Sequence, residues 1–176
     1  MCQELFVSVW YCRYVFLFFD GFHLLRCTTI KCLVSFIQSG IGKPELNAKF
    51  NKSLKDDVNW QPKGPDYRTN EFGVKRYTKG YVAYAGSGEN SRGNQLIVAL
   101  ADDKRLGGGS PWEVPFGEVV GKESYETLSK IYTGYGEKGP SQPLLHKEGS
   151  SERIAKEFPK LDYITKCTLV DEVSED

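Results

Sequence analysis

The sequence carries no net charge and little of the residue types that mark several specialised protein classes. Lys plus Arg and Asp plus Glu each number 23, so no charge excess draws the chain to nucleic acid or anionic lipid. Only two histidines are present, His23 and His146, and neither has a partner at metal-ligand spacing. The sequence shows no internal repeat and no low-complexity segment. We therefore expect no nucleic-acid partner, no metal and no other cofactor.

Cysteine is present in an odd number, five, which does not form a regular framework. Four of the five fall in the first 32 residues, and Cys27 and Cys32 are separated by four residues, which is not a zinc-binding spacing. The sequence predicts reduced thiols with buried or incidental roles in a reducing compartment, and it favours the cytoplasm. The cysteines are Cys2, Cys12, Cys27, Cys32 and Cys167.

A long uninterrupted apolar run is also missing, although residues 5–19 (LFVSVWYCRYVFLFF) are rich in aromatic and β-branched side chains. A membrane-spanning helix needs roughly 20 apolar residues in a row, and here Arg13 interrupts the run and Asp20 closes it. A signal peptide would have a basic start and a small-residue cleavage site, and neither is clear in this segment. Three interpretations stay open: a buried strand or helix, a targeting segment, or sequence outside the fold. We expect no membrane association.

The pattern along the rest of the chain favours a turn-rich, mainly β protein, with 18 glycines and 8 prolines in 176 residues. Strands are predicted over 80–85, 95–100 and 162–170 from their β-branched and aromatic composition. The polar stretch 39–80 and the segment 134–143 carry loop signals, and so does the connection 106–117.

Two helices are predicted among these strands. Residues 122–132 place Tyr125, Leu128 and Tyr132 on one helical face. Residues 150–158 have Ser150 or Ser151 as a cap and Pro159 just past the end. We therefore predict a closed antiparallel β-barrel capped by two short helices.

The glycine-rich stretch AYAGSGENSRGNQLIVAL, residues 83–100, could be mistaken for a phosphate-binding loop. A dinucleotide loop needs Gly-x-Gly-x-x-Gly at the start of a helix, and a P-loop needs Gly-Lys-Ser/Thr there. Here Gly93 comes five residues after Gly88, and the strand-like NQLIVAL follows. Since no helix N-terminus is available to hold a phosphate, nucleotide binding is excluded, and the glycines form turns between two strands.

Several segments together resemble the cyclophilin-type peptidyl-prolyl cis-trans isomerases. They are FFDGFHLLRC (18–27), FIQSGIGKPELNAKF (36–50), GYVAYAGSGENSRGNQLIVAL (80–100), PFGEVV (115–120) and the C-terminal KIYTGYGE and EFPKLDYITKCTL. The resemblance covers residues 18–172. It leaves a hydrophobic segment, 1–17, in which the family's first hairpin and first helix have no match, and a tail, 173–176.

The resemblance implies an isomerase that accelerates rotation about X-Pro bonds and needs no cofactor. It assigns catalytic roles to Arg26, as hydrogen-bond donor to the prolyl nitrogen, and to Gln38 and Gln95, as supporting amides. It assigns contacts with the proline-containing peptide to a further set: Phe36, Ala85, Gly86, Ser87, Asn90, Ile97 and Leu106. The partners it implies are proline-containing peptides or client proteins, and we expect a monomer.

The chain departs from the family pattern in the pocket. Ile97 stands where an aromatic residue is usual, and Arg105 stands in place of a tryptophan. The spacing from Arg26 to Gln38 is about four residues longer than in the family. Trp112 lies in a loop that is longer than the family's, and two roles stay open for it: packing, or a place in the pocket. These departures leave an alternative function, a proline-peptide binding module with weak catalysis.

Overall fold

The computed structural model describes residues 6–9, 28–29, 31–32, 36–50, 52–56, 77–102 and 112–164. Eight strands and four α-helices lie in these ranges, with one 3-10 turn at Gly136–Lys138. The strands are β1 (Phe6–Val9), β2 (Thr28–Thr29), β3 (Lys31–Cys32), β4 (Phe36–Ser39), β5 (Tyr81–Tyr84), β6 (Leu96–Ala99), β7 (Pro115–Val120) and β8 (Tyr163–Ile164). The helices are α1 (Pro44–Phe50), α2 (Lys122–Lys130), α3 (Gln142–Glu148) and α4 (Glu152–Glu157).

The main sheet has six strands in the order β1-β7-β5-β6-β4-β3, and β2 and β8 form a separate pair. Every described pairing is antiparallel. The mainly antiparallel sheet that we predicted is therefore confirmed. In the described part of the chain, no hydrogen-bonded ladder joins the edge strands β1 and β3, so the sheet is not closed there.

The prediction of two helices was too low. Helix α1 lies in the predicted loop 39–80, whereas α3 begins at the end of the predicted loop 134–143 and continues through residues for which we predicted no element. The two predicted helices are present as α2 and α4, and the Ser151 side chain caps α4 by accepting from the backbone N–H of Ile154. The missed helices have seven residues each. Proline begins α1 at Pro44 and sits in the first turn of α3, where it is compatible with a helix.

Part of the N-terminal segment belongs to the main sheet. β1 pairs with β7 from Phe6 opposite Val120 to Val9 opposite Gly117. The division of the chain at residues 17 and 172 stays a prediction. Over the described ranges, no helix combines the length and the apolar character needed to cross a membrane.

The two faces of the sheet bury different clusters, since side chains alternate along each strand. The first, which we call the core face, holds Ile37, Val82, Val98 and Val119 against Leu128 of α2. The other, which we call the site face, holds Tyr77, Ala83, Ile97 and Ala99. A third cluster joins α3 and α4 to the chain after β4 and consists of Ile41, Leu145, Ile154 and Leu161.

Candidate functional site

The pairing of β4 with β6 brings several predicted site residues onto the site face. Gln38 lies opposite Ile97, and Phe36 lies opposite Ala99. Residues directly opposite in an antiparallel pair project to the same side of the sheet. The intervening residues Ile37 and Val98 belong to the core face, so one strand pair serves both the core and the candidate site.

An apolar patch forms on the site face where three predicted peptide contacts meet. Phe36 and Ala85 are partly buried and pack against the cluster that contains Ile97. Ile97 itself is only 1% exposed, so it lies beneath this surface. Sequence reasoning missed Tyr77, which is fully buried in the same cluster and donates its hydroxyl to the carbonyl of Glu113 at 2.6 Å.

A close backbone approach holds the end of β4 against the start of β6. Gly40 has φ +104°, and a Cβ there would lie 2.1 Å from the carbonyl oxygen of Asn94. The Asn94 amide, which is buried, donates to the carbonyl of Gly40 at 2.9 Å. Only glycine accepts both this conformation and this proximity. The contact places Gln38, two residues before Gly40, beside Gln95, which follows Asn94.

The amide side chains of Gln38 and Gln95 form one continuous hydrogen-bonded chain with helix α3. Gln142 Nε2 donates to Gln38 Oε1 at 2.8 Å, and Gln38 Nε2 donates to Gln95 Oε1 at 2.6 Å. Gln95 Nε2 lies 3.3 Å from His146 Nε2. We call these four residues the amide chain. The two predicted catalytic glutamines are thus brought into direct contact.

Gln142 and His146 were missed by sequence reasoning because no helix was predicted over residues 142–148. The signal that could have found them is the spacing of four residues, which puts both on one helical face. Ser141, which accepts from the N–H of Leu144 at 3.4 Å, caps this helix. Gly149 ends it in close contact with the chain after β4, since a Cβ there would lie 2.2 Å from the carbonyl oxygen of Gly42.

The loop after β5 is held by its own polar groups and by the segment before β7. The N–H of Gly86 donates to the Glu113 carboxylate at 3.3 Å, and that of Ser87 donates to Ser91 Oγ at 2.8 Å. Trp112 packs so close to Gly86 that a Cβ on this glycine would meet its ring at 2.7 Å. The small residue at this position is therefore required by the tryptophan.

Asn90 lies on the same loop, at its exposed tip, and its hydrogen bonds go to Asp56. The backbone N–H of Asp56 donates to Asn90 Oδ1, and the N–H of Asn90 donates to Asp56 Oδ2, both at 2.9 Å. Arg92 Nε lies 3.3 Å from the other carboxylate oxygen of Asp56. This arrangement fixes the loop, and the predicted peptide contact of Asn90 stays a prediction.

Tyr84, at the end of β5, is a neutral phenol over the physiological range. Burial raises the pKa of Tyr84 to about 12, and the positive charge of Arg92 partly opposes this rise. Its ring packs on Phe116 with centroids 4.8 Å apart, and the Arg92 guanidinium lies 5.9 Å from the ring centroid. The raised pKa keeps the Tyr84 phenol protonated near neutral pH.

Two predicted site residues, Arg26 and Leu106, lie outside the described residues, as does Arg105. The described site consists of the amide chain, the apolar patch and the loop at Gly86. Over the described ranges, no group of three or more His, Cys, Asp or Glu side chains is placed to hold a metal ion.

Comparison with known proteins supports this fold. A scan against protein-family models gives no match, and a search of curated proteins gives no significant one. Among solved structures, the fold is similar to a Cryptosporidium parvum cyclophilin-type peptidyl-prolyl cis-trans isomerase determined in the presence of the dipeptide Ala-Pro, with TM-score 0.53 and 16% identity, over 96% of this chain and 93% of that one. A second structure of that isomerase gives TM-score 0.48 and 17% identity, over 73% and 78% of the two chains. The chain therefore shares its fold with cyclophilin-type isomerases, at low sequence identity.

Proposed function

We propose that this protein is a peptidyl-prolyl cis-trans isomerase that accelerates rotation about X-Pro bonds during protein folding. The observation that carries the proposal is the Gln38–Gln95 amide pair beside the apolar patch of Phe36 and Ile97, on a fold of cyclophilin type. Such a site offers polar groups for a peptide main chain and an apolar surface for a proline ring. We further propose a monomeric closed barrel built from residues 18–172, to which the N-terminal segment adds strand β1.

The chemistry requires neither a nucleophile nor a cofactor. Amide resonance sets a barrier of about 18–20 kcal/mol. An enzyme lowers it by binding the twisted amide better than the planar one. The prolyl nitrogen becomes pyramidal and basic only as the bond twists, so a hydrogen bond to it favours the transition state. Arg26 is the proposed donor, because a guanidinium is always charged and presents a rigid fork. Gln38 orients this donor.

The peptide is held in extended form beside the amide pair. Gln95 and the backbone of Ala85, Gly86 and Ser87 bind its main chain, with Asn90 at the end of the loop. Phe36, Ile97 and Leu106 receive the proline ring. The similar isomerase was solved in the presence of Ala-Pro, which supports a proline-containing peptide as the ligand class here.

Isomerisation of an Ala-Pro peptide, followed by a protease-coupled assay, tests the assignment of Arg26. We expect Arg26→Ala to lower kcat/KM by about 100-fold or more, the scale found when one preorganised donor is removed. Arg153→Ala is the control, because Arg153 is an exposed arginine of α4 paired with Glu148. If Arg26→Ala retains the wild-type rate, this mechanism is wrong.

A binding module with little catalysis is the second candidate function. The observation that favours it is the intact amide pair, which suits main-chain binding, combined with the longer spacing between Arg26 and Gln38. Binding of a proline peptide without acceleration of its isomerisation would support the module and contradict the enzyme.

A further consequence of Arg105 in place of an apolar contact is weak binding of cyclosporin, and nanomolar affinity would contradict it.

A further inference from the structure

Helix α3 supplies two polar residues to the site that neither the motifs nor the proposed mechanism includes. We infer that Gln142 and His146 are positioning residues, which set the direction in which the Gln38 and Gln95 amides present their donors and acceptors to the peptide. This inference rests on the proposed function, since it assigns the amide pair to main-chain binding.

All the hydrogen bonds of the amide chain run in one direction. Each glutamine donates to the next, from Gln142 through Gln38 to Gln95. Because the oxygen of Gln95 already accepts from Gln38, the Gln95 amide turns its NH2 group toward the imidazole of His146, 3.3 Å away. Nε2 of His146 must therefore accept, which requires a neutral ring with its proton on Nδ1.

A protonated imidazole is incompatible with this direction, because both ring nitrogens are then donors. The Gln95 amide would have to rotate by half a turn to offer its oxygen to His146. Its NH2 group would then face the NH2 group of Gln38, which would rotate in turn, and Gln142 would follow. Protonation of one ring thus reverses the donors and acceptors of the whole amide chain.

The reversal matters because a peptide main chain has a fixed pattern of N–H and C=O groups. Gln38 is 7% exposed, and each of its amide atoms makes one bond within the amide chain and has the capacity for one more. Only one direction of the amide chain can therefore match the peptide. We assign the neutral, described direction to the binding state.

Among the residues that the structure describes, the charged groups on the elements around His146 do not pair with it. On α3 the neighbouring charged residues are Lys147, which is exposed, and Glu148, which pairs with Arg153 at 2.6 Å. On α1, which packs against α3, the charged residues Glu45 and Lys49 are exposed. From the chain before β6, the uncharged Gln95 contacts the His146 ring. Within the described ranges, no ion pair to His146 is present.

The first test measures the dissociation constant of an Ala-Pro peptide by NMR between pH 8 and pH 5, the range in which imidazole side chains gain a proton. We expect binding by the wild type to weaken about three- to tenfold toward pH 5, as for the loss of one hydrogen bond. His146→Gln, which accepts without titrating, should bind with the same affinity at both pH values. His23→Gln, which replaces the other histidine of the chain, should keep the wild-type dependence of binding on pH. A wild-type pH dependence in His146→Gln, together with its loss in His23→Gln, would overturn the inference.

Gln142→Glu gives a second test that does not depend on the behaviour of His146→Gln. A carboxylate has no N–H, so it can only accept from Gln38 and fixes the amide chain in the reversed direction. We expect this variant to bind the peptide at pH 8 as weakly as the wild type does at pH 5. Wild-type affinity at pH 8 would overturn the inference.

The side-chain NH2 signals of the three glutamines separate this inference from the proposed function, because they do not require catalysis. We expect all three to shift together with the imidazole signals of His146. If they shift together but isomerisation is not accelerated, the positioning role stands and the isomerase proposal fails. If isomerisation is accelerated while the signals stay constant between pH 8 and pH 5, the isomerase proposal stands and the positioning role fails.

Discussion

The two faces of the sheet differ in what they bury, although they share the same strands. The core face joins aliphatic residues such as Val82 and Val98 to Leu128 of α2, and every cluster member is apolar. The site face combines the apolar Ile97 with the amides of Gln38 and Gln95, which are bonded to each other and to α3. If the proposed function holds, adjacent residues of one strand serve stability on one side and recognition on the other. Substitutions on the two faces should therefore have separable effects.

The largest expected effect is on the core face. Leu128 is 1% exposed, so Leu128→Ala should lower the free energy of unfolding by about 2–5 kcal/mol through lost burial and the cavity it leaves. Urea unfolding measures this loss, with Ser129→Ala on the exposed side of α2 as the control. The folded fraction should keep the wild-type kcat/KM. A specific loss of activity without loss of stability would show that the two faces are not separable.

The next effect sharpens the comparison on the site face. A Cβ at Gly86 would lie 2.7 Å from Trp112, whereas one at Gly88 meets nothing within 4 Å. We expect Gly86→Ala to cost about 1–3 kcal/mol by overpacking and to weaken peptide binding. Gly88→Ala is the matched control and should unfold at the wild-type temperature. Equal thermal stability of the two variants would exclude this packing of Trp112.

The caps of α3 and α4 allow a comparison of two substitutions that should lower stability by the same amount. Ser141 caps α3, which carries Gln142 and His146, and Ser151 caps α4, which carries neither. Either serine replaced by alanine should lose about 0.5–2 kcal/mol of stability. Only Ser141→Ala should also raise KM for an Ala-Pro peptide, because it loosens the helix that positions the amide pair. A rise in KM of the same size in Ser151→Ala would argue against that specific link.

The smallest expected effect is that of Tyr84 on stability, which changes only at alkaline pH. Since burial raises its pKa to about 12 from an ordinary value of 10.0, the folded state holds the phenol proton more tightly than the unfolded state. This contribution is fully present below pH 10 and is lost as the pH rises from 10 to 12. Tyr84→Phe should therefore flatten the dependence of stability on pH in that window. Chemical denaturation across alkaline pH measures it, and an unchanged slope would contradict the burial of the phenol.

Strands β5 and β6 and one wall of the site were predictable because their signals are local. The sequence 80–100 combines a small-residue strand end, a polar turn and Gln95, and the structure places these as predicted between β5 and β6. Ile97 and Phe36 were matched by the same motifs and do pack in one cluster. Alternation along the strands then determines which neighbours share the site face.

The helix side of the site was not predictable from such signals. The partners of Gln38 lie 57 and 104 residues away in the chain, at Gln95 and Gln142. A seven-residue helix with proline in its first turn shows no clear apolar period, so no helix was predicted over α3. The close approach at Gly40, which brings Gln38 to Gln95, is a tertiary contact that no local pattern announces.

The most direct test of the central claim is a methyl and side-chain amide NMR titration of the protein with an Ala-Pro peptide. Ile97 and Val98 are neighbours in β6 that belong to the site face and the core face, respectively. We expect the Ile97 methyl signals and the NH2 signals of Gln38 and Gln95 to shift with added peptide, with those of Val98 nearly unchanged. Peptide binding that shifts signals elsewhere and leaves Ile97 and both glutamines unaffected would contradict the account.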